Sequence, residues 1–139
     1  MRDLIESGFV IEDSCSFTFA EKWFLLTGQI ICLAGLIIEV EKRVGILSGK
    51  GPSARVKTQS FTYHTWIRGG NNIFRYCSAD PPHRPNPHKH IFEPFDGGKE
   101  SNVIELVDEE DIPTLGEVIV ELRDWHAENF VQLLEQPGG

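Results

Sequence analysis

From Phe9 to Val107 the chain is a succession of short segments rich in β-branched and aromatic residues, punctuated by glycine, asparagine and proline. Only after Pro113 does the apolar spacing become helical. This order constrains the fold more than any other feature, because side chains alternate across a strand with period two but recur on a helix face every three to four residues. Phe9, Ile11, Asp13, Cys15, Phe17 and Phe19 alternate with mostly polar neighbours, as in one half-buried strand. Trp23 to Leu33 and Leu36 to Leu47, divided at Ala34-Gly35, read as hairpin strands that end in a turn from Ser48 to Pro52. That turn lacks the GxxxxGK[ST] spacing that lets backbone amides cradle phosphate. Ala54 to Ile67 and Ile73 to Cys77 form a second hairpin around Gly69-Gly70-Asn71-Asn72. Prolines 81, 82, 85 and 87 exclude both helix and interior strand, so Asp80 to His88 is a loop. His90 to Phe95 and Asn102 to Val107 are shorter strands or edges. Thr114-Leu-Gly-Glu117 then fits a capping box, and Leu115, Val118, Ile119, Leu122, Trp125 and Phe130 mark the apolar stripe of a helix reaching Leu134. Strands followed by one helix, without βαβ alternation, predict an α+β fold: a mainly antiparallel meander of about five to seven strands with the amphipathic helix packed on one face.

A chain of 139 residues suits a single domain spanning 1–139 and is long enough to bury its own core. The longest apolar run, Ile30 to Ile38, falls short of the ~20 residues a spanning helix needs, and the opening residues lack the basic and apolar regions of a secretory signal. A cytoplasmic protein without membrane insertion is expected. Cys15, Cys32 and Cys77 are odd in number and show no CxxC spacing, which predicts reduced thiols rather than disulfides or a zinc clip. Net charge is -8, yet it is unevenly spread. Between Lys42 and His90 nine basic residues meet one acid, Asp80, while the flanking stretches are strongly acidic. Such segregation would allow one positive surface on an acidic protein.

Four of the five histidines fall in that basic middle: His64, His83, His88 and His90. If His88-Lys89-His90 is extended, the imidazoles share one face and the lysine takes the other. Hairpin geometry brings Tyr63 and His64 near Phe74-Arg75-Tyr76. Imidazoles beside a guanidinium suit metal-free cleavage of an RNA phosphodiester, one histidine taking the 2'-hydroxyl proton and another protonating the leaving oxygen. Arg75 or Lys89 would stabilise the developing charge, and aromatic residues such as Tyr63 and Tyr76 could stack a base. The candidate catalytic set is therefore His88, His90, Lys89, Arg75, Tyr76 and His64, with Tyr63, Arg68, His83 and Arg84 as substrate contacts. Competing with this is zinc held by His83, His88 and His90, with His64 or Asp80 as further donors. A magnesium site is disfavoured by the lack of acids in this segment. His126, among apolar helix residues, reads as structural. No spacing signal supports Cys77 as a nucleophile.

The stretch from Phe61 to Phe92 resembles the characteristic region of the TumE family of toxin components, in which an FRYDNA-like strand is followed by histidine- and proline-rich residues and a closing HHKH. Phe74-Arg75-Tyr76 and His88-Lys89-His90 match that pattern position by position, with weaker similarity back to Trp23 and on into the helix from Thr114. Cys77 and Ser78 stand where the pattern has Asp-Asn, and Pro87 replaces the first histidine of the closing run. The resemblance implies a toxin acting on RNA or translation and neutralised by a cognate helix-turn-helix antitoxin. Roles at Arg75, Tyr76, His88, Lys89 and His90 carry over, with His83 a looser match. Three functions follow as expectations: a toxin-like, metal-independent ribonuclease without cofactor; a catalytically silent interaction or regulatory module with a basic face; and a metal-dependent hydrolase. RNA, the antitoxin and further copies of the chain are the expected partners.

Overall fold

The computed structural model of the protein describes residues 8–49, 54–79 and 84–135. Asp80, His83 and the first half of the proline loop lie outside the described residues, as does the glycine turn from residue 50 to 53. Eight strands form one sheet: β1 (Val10–Asp13), β2 (Ser16–Phe19), β3 (Trp23–Cys32), β4 (Leu36–Ser48), β5 (Arg55–Ile67), β6 (Asn72–Cys77), β7 (His88–Phe92) and β8 (Glu100–Glu105). From β3 to β8 each strand pairs antiparallel with the next, and β1 and β2 both lie along β3. The helix α1 (Leu115–Leu134) follows. The architecture is α+β, an antiparallel meander with one C-terminal helix, as the order of patterns predicts.

The number of strands exceeds the expectation because the segment from Phe9 to Phe19 is two strands, not one. At the break, the Asp13 carboxylate accepts from the Cys15 amide (2.8 Å) and the Ser14 hydroxyl accepts from the Gln29 amide (3.1 Å), so side chains replace part of the backbone ladder. Opposite them, Gly28 has φ +150°, and a Cβ there would lie 2.5 Å from the Cys15 backbone. Only glycine admits that approach. A second difference concerns β2, whose Phe17 and Phe19 were expected to be half-buried. They are exposed, and they cluster with Phe24 at ring separations of 5.8–5.9 Å.

Helix α1 starts where the capping box predicts. Thr114 Oγ1 accepts from the Glu117 amide (3.2 Å), and the Glu117 carboxylate accepts from the Thr114 amide (3.0 Å). Val118, Ile119 and Leu122 are wholly buried against the sheet, each burial contributing about 1.5–3 kcal/mol. They define an inner face, to which β5 contributes Phe61, Tyr63, Thr65 and Ile67, all buried. Thr62, His64 and Trp66 alternate onto the outer face and are half-buried. Among the described residues no helix is long and apolar enough to cross a membrane.

Candidate functional site

The hairpin of β5 and β6 sets the register of the site. Across Gly69-Gly70-Asn71, Tyr63 pairs with Tyr76 and His64 with Arg75. The next strand continues the rows, Arg75 opposite His90, Tyr76 opposite Lys89, and Cys77 opposite His88. Directly opposed residues in an antiparallel pair share a face. The rows therefore sort the candidate residues into two groups that do not meet.

Tyr63, Tyr76 and Lys89 belong to the inner face, under α1. Tyr76 donates its hydroxyl to Glu121 Oε1 at 2.5 Å, and Lys89 Nζ donates to Glu121 Oε2 at 2.5 Å. The ammonium also lies 5.0–5.1 Å from the ring centres of Phe74 and Tyr76. Burial, then the hydrogen bond and charge of Glu121, push the Tyr76 phenol well above its usual range, and burial raises Tyr63 as well. This corrects the expected roles of both residues on β6 and β7. Lys89 is neutralised by a helix carboxylate and faces away from the histidines, so it cannot anchor a phosphate beside them. Tyr76 is a buried hydrogen-bonded core residue. Tyr63, expected to stack a base, is 1% exposed.

On the outer face Arg75, Cys77, His88 and His90 converge, with His64 opposite Arg75 on the neighbouring strand. The donor atoms of Cys77, His88 and His90 all lie within 4.8 Å of one another. The two imidazole rings meet edge-on, their centres 4.8 Å apart. His88 is almost fully buried, and its Nδ1 bonds the Asn86 carbonyl at 3.1 Å. His90 Nδ1 bonds the Glu100 carboxylate from β8. A carbonyl and a carboxylate accept, so each Nδ1 carries a proton, and in the neutral form of either ring the lone pair is on Nε2. Burial lowers the His90 pKa; the Glu100 bond opposes this, and the charges of Arg75 and His88 reinforce it. The net effect favours a neutral imidazole. Burial likewise raises the Cys77 thiol, against the pull of the Arg75 guanidinium. Arg75 Nε is itself buried and has no hydrogen-bond partner among the described residues.

Two imidazoles and a thiol from adjacent strands match the donor set of zinc, whose ligand atoms stand about 3.3–3.6 Å apart in a tetrahedron with bonds of about 2.0–2.3 Å. A second-sphere acceptor on each imidazole is the usual companion of metal-ligating histidine, since it fixes the tautomer and orients the ring. Cys77 stands beside His88 and His90, where His83 was the expected third donor; His83 lies outside the described residues. Sequence spacing gave no sign of Cys77, because its partners arrive across a proline loop whose length hides the register. Glu100 was missed because it reaches His90 only through the pairing of β8 with β7.

The remaining candidates are dispersed. His64 bonds the Asn72 side chain at 2.7 Å and packs on Trp66, Arg68 sits exposed in the β5–β6 turn, and Arg84 is exposed. His126 lies 6.1 Å from Phe9, a packing contact. Around the outer cluster the segregated charge of the sequence is not kept. Glu39 and Glu41 pair with His64 and Thr62, and Glu105 pairs with His88, so carboxylates border the outer cluster. A cleft of about 540 Å³ lies apart from it, near the start of α1, lined by Lys42, Lys57, Phe61, Tyr63 and Thr114 among others. In comparisons with known proteins, no family model, curated protein or solved structure matches the chain.

Proposed function

We propose that the protein is a metal-dependent hydrolase that holds one zinc-class ion between Cys77, His88 and His90. The observation that carries this reading is the convergence of three donor atoms within 4.8 Å while both Nδ1 atoms are already bonded elsewhere. When bound, an ion with three protein ligands supplies a Lewis acid and lowers the pKa of water in its open position. The chain's own residues do the rest. Asn86 and Glu100 hold the imidazoles in the ligating tautomer, the lowered His90 pKa keeps that ring neutral, and the buried surroundings of His88 exclude bulk water. Hydrolysis would add water across an ester bond, its hydroxyl joining the acyl or phosphoryl centre and its proton leaving with the alcohol.

The same imidazoles would be the proton-transfer pair of a metal-free ribonuclease. Against that reading stand the burial of His88 and the carboxylates of Glu39, Glu41, Glu100 and Glu105 around the cluster, which repel a polyanion. The TumE-like stretch from Phe61 to Phe92 supports placing the hydrolase in a toxin–antitoxin pair, with the antitoxin as its partner.

Metal analysis and calorimetry on protein purified without nickel resin test the reading. One equivalent of zinc is expected, lost in His88→Ala and Cys77→Ser and kept in Lys89→Ala. Cobalt in its place should show the near-ultraviolet charge-transfer band of a thiolate ligand. Folded wild-type protein that takes up no stoichiometric metal would end it. Growth arrest on expression, relieved by His88→Ala with His90→Ala but not by His126→Ala, tests the toxin context; a silent module would arrest nothing.

A further inference from the structure

We infer that Arg75 seats one oxyanion of the substrate beside the metal position, so that the substrate is a small ester bearing a single phosphate group. This rests on the metal-site reading above. Arg75 lies on the same face as the three donors, directly opposite His90 and two residues before Cys77. Its guanidinium is half-buried and hydrogen-bonds the Cys77 side chain, but its Nε is buried and without a hydrogen-bond partner among the described residues, which leaves one donor unsatisfied. A guanidinium this close to a cation site also opposes filling it. Both penalties disappear together when an anion lies between them. The guanidinium suits a phosphate oxygen, which can accept from its planar fork while another oxygen of the same group reaches the metal.

The surroundings limit the size of that anion. One arginine is set among the carboxylates of Glu39, Glu41 and Glu105, and Lys89 is bound to Glu121 on the opposite face. Beyond the first phosphate, further negative charge meets repulsion. A polynucleotide backbone, whose affinity depends on several cations, meets these carboxylates beside Arg75.

Cobalt-loaded wild-type protein titrated with inorganic phosphate is the direct test, read from the visible cobalt spectrum. Saturable change is expected, weakened about ten- to a hundredfold in Arg75→Gln. Cobalt affinity in that variant should change far less than phosphate affinity, because losing a like charge and losing the guanidinium's pull on the Cys77 thiol act in opposite directions; a general structural defect would lower both. Phosphate should also protect Arg75 from phenylglyoxal in the unmutated protein, mapped by peptide mass, which needs no variant to fold. If cobalt does not bind, the metal-site reading fails. If cobalt binds but phosphate produces no change, no protection, or the same affinity in Arg75→Gln, the role of Arg75 is overturned while the metal site stands. A short oligouridylate that binds far more tightly than phosphate and loses affinity steeply with salt would overturn the small-ester restriction in favour of RNA.

Discussion

The two faces of β6 and β7 are built from alternate residues of the same strands, yet they end in opposite chemical states. Inner-face Tyr76 and Lys89 meet Glu121 of α1 and are spent on holding the helix. Outer-face Arg75, Cys77, His88 and His90 lie on the side of the sheet away from α1, where three donor atoms converge and the Arg75 Nε has no partner among the described residues. The difference teaches that a basic, histidine-rich motif divides by parity when it becomes strands. Half of its residues serve packing, and only the other half can serve a ligand.

The comparison is broken most severely at the helix. Leu122→Ala removes a wholly buried side chain and should lower unfolding free energy by about 2–5 kcal/mol in urea denaturation. Metal uptake per folded molecule should not change; loss of both would show that the faces are not independent. On the outer face, His88→Ala should reduce zinc affinity by at least about a hundredfold, more than a second-sphere change does. Metal-free stability should fall less than in Leu122→Ala, as compared by melting without zinc.

Smaller changes sharpen the contrast. Glu100→Gln leaves an acceptor for His90 but removes its charge, which should weaken zinc binding by about tenfold. It should also move the His90 titration lower by NMR, because the carboxylate raises that pKa. Glu121→Gln, its mirror on the inner face, should cost about 1 kcal/mol, since the Glu121 carboxylate is one-third exposed and partly screened. Zinc affinity should be unaffected. Acidity separates the faces again. Burial raises the Cys77 thiol, so it is protonated in the metal-free protein near neutrality and must release that proton to become a ligand. Zinc affinity should therefore rise by about one order of magnitude per pH unit between pH 6 and 8 and fall as pH drops. Cys15 and Cys32, pushed up to about 12 by burial, should alkylate slowly at pH 8 whether or not zinc is present, while zinc should protect Cys77.

Much of the fold was legible because its cues are local. Period-two alternation located the long strands, Gly69 to Asn72 set the β5–β6 register, and Thr114 with Glu117 marked the start of α1. The break at Ser14–Cys15 was not legible, because it depends on the close approach of Cys15 to Gly28 of β3. The candidate site was legible in part. His88 and His90 could be placed on one face from their spacing alone, opposite Lys89.

Amino-acid order by itself determined the element types, the antiparallel hairpin and the parity of His88-Lys89-His90, since backbone geometry and side-chain alternation act over a few residues. Tertiary structure alone decided which face the helix covers, that Glu121 captures Lys89 and Tyr76, that Glu100 orients His90, and that Cys77 joins the two histidines. Those pairings join residues up to 45 positions apart, and their register is set by sheet assembly and loop closure, which no local pattern encodes.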